Sequence, residues 1–229
     1  MLDLVAVSYD VLLLLHVLLF VYWLGADLAV LYSARYAADP RLSVETRVTI
    51  SEIMAFVDMF PRMSVPLIGA VGVSLAAVGG YIELPLPIFL VSWLLAAMWV
   101  GNGLFIYRHR KSPAATQGPR LFDLYLRSLV AALASIAALA GMLGVGPIVS
   151  AMVAVKLLIF AGAILLSLVL RRRFLPFRPA LNRIVEGVGG DSDTEIMQRT
   201  LQRTRPIVLG LWGLTVAAAA VGLWGRTWV

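Results

Sequence analysis

VLLLLHVLLFVYWLGADLAVLY, residues 11–32, decides the reading of this chain. Only two of its side chains, His16 and Asp27, are ionisable. At a rise of about 1.5 Å per residue, such a helix crosses a hydrocarbon core of about 30 Å. Its polar groups fall in register. Seven residues separate His16 from Trp23 and four separate Trp23 from Asp27. At about 100° per residue both steps return to nearly the same direction, and Tyr9 extends the stripe one heptad upstream. A polar stripe is costly against lipid, so it is expected to face the bundle interior, a cavity or a cofactor.

Five more stretches have the same apolar character: residues 63–82, 86–107, 128–143, 150–170 and 207–224. The expected architecture is all-α, a polytopic bundle of six transmembrane helices forming one domain over residues 1–229. Composition agrees: 61% of residues are hydrophobic, 14% are charged and the mean hydropathy is +0.90. A soluble domain carries about 25% charged residues. Cysteine is absent, which excludes disulfides, thiolate metal sites and a cysteine nucleophile. The N-terminus lacks the basic region and small-residue cleavage site of a signal peptide, so the first helix is expected to be retained.

The basic residues alternate between loops. Arg35, Arg41, Arg47 and Arg62 follow the first span; Arg108, Arg110, Lys111, Arg120 and Arg127 follow the third. Arg171, Arg172, Arg173, Arg178, Arg183, Arg199, Arg203 and Arg205 follow the fifth. Of the 19 Lys and Arg residues, only Lys156 and Arg226 lie elsewhere. The positive-inside rule then places the basic loops in the cytoplasm and both termini outside, in an inner (plasma) membrane. The net charge of +6 reads as topology and contact with anionic lipid rather than nucleic acid binding.

Two basic segments are expected to form cytoplasmic amphipathic helices. In residues 44–60, Val44, Val48, Ile50, Ile53, Met54 and Val57 recur near helical spacing, with Glu45, Arg47 and Glu52 between them. In residues 193–205, SDTE at 192–195 has the capping-box pattern, with Pro206 as the stop and Gly187, Gly189 and Gly190 as the break before it. Residues 108–119 read as a loop, and Gly144, Gly146 and Pro147 as a tight turn. LHVLLF at 15–20 and VKLLIF at 155–160 align at an offset of 140, with Pro66 and Pro206 in matching places. They suggest a parallel internal repeat about an axis along the membrane normal, although apolar helices also resemble one another without one.

His16 and Lys156 are the most informative pair. Each lies five or six residues inside the outer end of its span, roughly 7–8 Å deep. A lysine there costs about 2.5–3.5 kcal/mol, and no carboxylate of the first span lies at its level. It would pair with a cofactor carboxylate, a quinone or substrate oxygen, or an acidic partner group, or else snorkel to the outer headgroups. His16 is a metal ligand or a neutral interior histidine. Asp27 and Asn102 lie at similar depth near the inner side, where a hydrogen bond between them is expected. Asp58 and Arg62, at i,i+4, are expected to pair. His109 is expected at the cytoplasmic surface.

HVLLFVYWLG, residues 16–25, resembles the first-helix signature of the HemJ and CopD-like membrane families, and is similar to that of the PuuD-type membrane-anchored urate oxidases. VKLL at 155–158 resembles the helix of those families that carries a Lys-Leu pair, and Ile53-Met54 to Pro61-Arg62 with Pro66 resembles their second-helix entry. The resemblance covers the first, second and fifth spans, and the chain has more spans than the HemJ core. It implies haem b near His16, with Trp23 in the signature and Lys156 contributing to the same site. His109 is expected on the opposite side, so a second axial ligand would be Met142, Met152, Lys, water or His16 of a second copy in a homodimer.

Three functional readings result. The first is a haem-associated or redox-active membrane protein, as an enzyme an oxidoreductase of the HemJ type, using the His16/Lys156 face. The second is a non-enzymatic anchor or accessory subunit of a larger membrane complex. The third, from the CopD-like resemblance, is copper transport, which the absence of Cys and the scarcity of His and clustered Met count against.

Overall fold

The computed structural model describes residues 2–225, with side chains from residue 8 onward; Arg226 lies outside the described residues. Among these residues the chain is a bundle of helices: α1 (Leu2–Ala37), α2 (Val44–Val57), α3 (Met59–Val78), α4 (Leu86–Arg108), α5 (Pro113–Met142), α6 (Ala151–Phe174), α7 (Phe177–Val185) and α8 (Asp191–Trp224). Six stretches, built around α1, α3, α4, α5, α6 and α8, are long and apolar enough to cross a membrane. The protein is an all-α, multi-pass membrane bundle.

Burial follows side-chain size rather than hydrophobicity. Leu14, Leu94 and Ile136 are about 60% exposed, as expected of lipid-facing positions. Inside, Ala131, Ala134 and Ala138 of α5 and Ala154 and Ala161 of α6 are buried. Lipid tails are as apolar as leucine, so transmembrane helices associate through close packing, which small residues permit. At the end away from the basic segments the α3–α4 and α5–α6 connections are stitched together: Glu83 N–H donates to Pro147 (2.8 Å) and Val149 N–H to Tyr81 (3.1 Å). The tight turn before α6 forms as expected. Gly144 (φ +70°) and Gly146 (φ +92°) take left-handed conformations that a side chain would oppose.

Three expectations about the basic segments change. Residues 113–127 belong to α5. Pro113 sits at the first position of that helix, where its missing N–H costs nothing, and only Pro119 interrupts the ladder. The inner helix and the last span are one helix, α8, which runs through Pro206. Its start carries no capping box: the helix begins at Asp191 with Gly190 as its cap, so Ser192 already lies inside it, Glu195 pairs with Arg199, and Asp193 takes the Arg183 guanidinium of α7 (Nε–Oδ1 2.8 Å). Arg47, expected between the apolar positions of α2, is buried; it donates to the Ala37 carbonyl at 2.8 Å and reaches Met197 Sδ, tying α1, α2 and α8 together. The order long helix, short helix, long helix occurs twice, in α1–α2–α3 and α6–α7–α8.

Candidate functional site

The polar stripe of α1 faces α3. The His16 ring lies against Gly72, where a β-carbon would stand 3.1 Å from Cε1 and 3.6 Å from Nδ1. Ile68 of α3 is the neighbouring backbone, and the Lys156 ammonium of α6 is within electrostatic range of the imidazole. His16 Nδ1 is buried without a hydrogen-bond partner among the described residues. Phe160, one turn inward of Lys156, packs on Gly69 of α3, and Lys156 Nζ lies 2.8 Å from where a β-carbon of Gly222 would stand. Four helices, α1, α3, α6 and α8, thus supply the surroundings of these two polar side chains. Met152, one turn outward of Lys156, is buried against Gly225. Met142 does not join them: it is 44% exposed at the end of α5.

Further in, the stripe continues through Trp23, which is buried in the main core, to Asp27. Asp27 does not bond to Asn102. Its neighbours are Trp23 on its own helix and Asp58 and Arg62 of α3. Asn102 turns to α5, donating to the Pro119 carbonyl at 3.1 Å. Depth matches between the two residues, but rotation about the helix axis sets them on different interfaces. Asp58 and Arg62 do pair, Nε to Oδ2 at 2.6 Å.

Arg62 also feels the charge of both Asp27 and Asp123, and through it the stripe joins a second polar group. Asp123 of α5 is 2% exposed. It accepts from Trp99 Nε1 of α4 (3.1 Å), Arg127 Nε (3.0 Å) and Arg171 of α6. The Arg127 guanidinium stacks 4.9 Å from the Trp99 ring centroid and reaches Ser167 Oγ. By helix rise, Arg127 is about 22 Å from Met142 and Arg171 about 30 Å from Ala151, which sets this group toward the end of the bundle that carries the basic segments. Three aspartates (27, 58, 123) and three arginines (62, 127, 171) therefore form one ionic layer across α1, α3, α4, α5 and α6.

Sequence reasoning assigned Arg127 to a cytoplasmic loop and did not single out Asp123. The available signal was the Asp-x-x-x-Arg spacing of 123 and 127, identical to that of 58 and 62. Chemically, Asp58–Arg62 and Asp123–Arg127–Arg171 are satisfied as ion pairs and act as a structural lock, while the Asp27 carboxyl has Trp23 as its hydrogen-bond neighbour and no ion pair among the described residues. The His16/Lys156 level holds a buried ring nitrogen with unused hydrogen-bonding capacity. His109, at the inner end of α4, is exposed, and its Nδ1 is bonded to the Phe105 carbonyl at 3.0 Å.

No family model, curated protein or solved structure matches this chain.

Proposed function

We propose that this is an inner-membrane, haem-associated or redox-active protein, with cytoplasmic basic loops and outside termini, whose ligand is held by His16 and Lys156 in the outer half of the bilayer. The observation that carries this reading is the buried, unpartnered Nδ1 of His16 beside the Lys156 ammonium. A buried imidazole nitrogen without a partner is costly unless something binds it. The donor set suits haem b: neutral imidazole offers a nitrogen to iron, and an ammonium pairs with a propionate. When bound, haem supplies one-electron chemistry; the chain's part is to hold it, to shield it from water with the Phe160 and Trp23 layers, and to set its electrostatics through Lys156. The resemblance of residues 16–25 and 155–158 to the HemJ type supports the same reading. Met152 is the in-chain candidate for a second ligand, and His16 of a second copy is the alternative.

Protein purified from haem-replete cells should show a Soret band that His16→Ala abolishes. Lys156→Met should keep the band position but lose haem during gel filtration. Gly72→Ala, whose methyl must push the imidazole aside, should shift the band or weaken retention. Absence of visible absorbance in the wild type refutes the haem assignment. A second reading, an anchor or accessory subunit, is favoured by the Asp58–Arg62 and Asp123–Arg127–Arg171 ion pairs, which give the bundle rigidity without chemistry. It stands if His16→Ala and Lys156→Met both leave activity and partner association unchanged.

A further inference from the structure

An open groove of about 1010 Å3 lies between the inner end of α1 and α8. Leu31, Tyr32 and Arg35 line it from α1, and Arg205, Leu209 and Trp212 from α8. The two helices run in opposite directions across the bundle, so Arg35 and Arg205 stand at the same end. Each is four residues, about 6 Å of rise, from a leucine of its own helix, Leu31 or Leu209, that continues the groove toward the membrane centre. Trp212 lies most of a further turn along. The groove is therefore cationic at its inner end and apolar beyond it, along the direction in which a lipid lies.

The charge at the inner end is in excess. Arg41, also on the wall, is taken by Asp39, through Nε at 3.0 and 3.1 Å and Nη2 at 2.6 Å. That fork holds the Asp39 carboxyl down at about 2. Arg35 and Arg205 have no ion-pair partner among the described residues. The Trp212 indole N–H is likewise without an acceptor among them.

We propose that this groove holds one anionic phospholipid of the leaflet on the basic side, its phosphate between Arg35 and Arg205 and one acyl chain along Leu31, Leu209 and Trp212. The two guanidinium groups offer forked donors to phosphate oxygens. A zwitterionic headgroup brings its own cation beside them, and free phosphate leaves the apolar half unfilled. The site is independent of the His16/Lys156 reading.

The test is native mass spectrometry of the full chain, delipidated in mild detergent and titrated with phosphatidylglycerol or phosphatidylcholine. One phosphatidylglycerol should be retained about tenfold or more over phosphatidylcholine, and millimolar inorganic phosphate should not compete. Arg35→Gln/Arg205→Gln should reduce retention to the phosphatidylcholine level. Arg172→Gln/Arg173→Gln, with the same loss of charge at exposed positions of α6, should not. Equal loss in both double variants would show diffuse attraction to the basic belt and overturn the site, as would equal retention of both lipids or competition by phosphate. If Arg35→Gln/Arg205→Gln does not fold, Leu209→Glu decides: its carboxylate in the apolar half must abolish retention, and retained lipid refutes the proposal.

Discussion

Asp123→Asn tests the ionic layer most directly. The change is nearly isosteric, so it opens no cavity, but it removes the only carboxylate among the described residues that directly pairs with Arg127. Arg127 is 7% exposed, lies over Trp99 and is fixed by Asp123 at 3.0 Å. It cannot swing to water without leaving the core. Removing one partner of a buried pair typically costs about 3–5 kcal/mol, because the other charge is left uncompensated. For a chain of this size each kcal/mol moves the melting temperature by about 2–4 °C, so a fall of roughly 6–20 °C is expected. The six tryptophans make intrinsic fluorescence on heating in detergent a suitable readout. Asp123→Leu/Arg127→Leu removes both charges and leaves Arg171, whose side chain is 30% exposed, able to reach the surface. That double variant should melt closer to the wild type than Asp123→Asn does. A melting temperature for Asp123→Asn within about 2 °C of the wild type would refute the buried counter-charge argument, as would a double variant less stable than the single.

Two further expectations concern placement. Reporter fusions after Arg110 and Arg178 should be cytoplasmic and a fusion after Gly146 outside; the reverse pattern would invert the topology. Asp27→Leu makes α1 more apolar yet should lower thermal stability by about 1–2 kcal/mol, because Trp23 and Arg62 lose a polar neighbour; higher yield with unchanged melting would place Asp27 against lipid instead.

What the sequence makes legible here is periodicity and depth. His16, Trp23 and Asp27 share one direction of a 3.6-residue helix, and all three face α3. His16 and Lys156 lie at similar distances from the C-terminal ends of their helices, and the Lys156 charge reaches the imidazole. Rotation about the helix axis is not legible from depth, which is why Asn102 bonds to Pro119 and Met142 turns outward. Charge counting by loop also hides the ionic layer. Arg127 adds a positive charge to the same end of the bundle whether it is solvated or buried, so the loop count is the same in both cases while the side chain is mislocated. Only the i,i+4 spacing to Asp123 distinguishes the two cases, and it does so only once residues 113–127 are known to be helical.

That helicity turns on proline. In water Ser112-Pro113 and Gly118-Pro119 mark a loop, and Pro206 marks a stop, because a helix that loses a hydrogen bond competes with solvated alternatives. At a membrane border the alternatives are dearer, since irregular backbone leaves several groups unsatisfied while a proline leaves one. Pro119 frees the carbonyl of Ala115 and Pro206 that of Gln202, and both helices continue past the interruption. The helices that remain intact carry Asp123, Arg127 and Arg205 to fixed positions at one level. The ion pairs tie the basic end of the bundle together, while His16 and Lys156 lie among glycines of the neighbouring helices toward its other end.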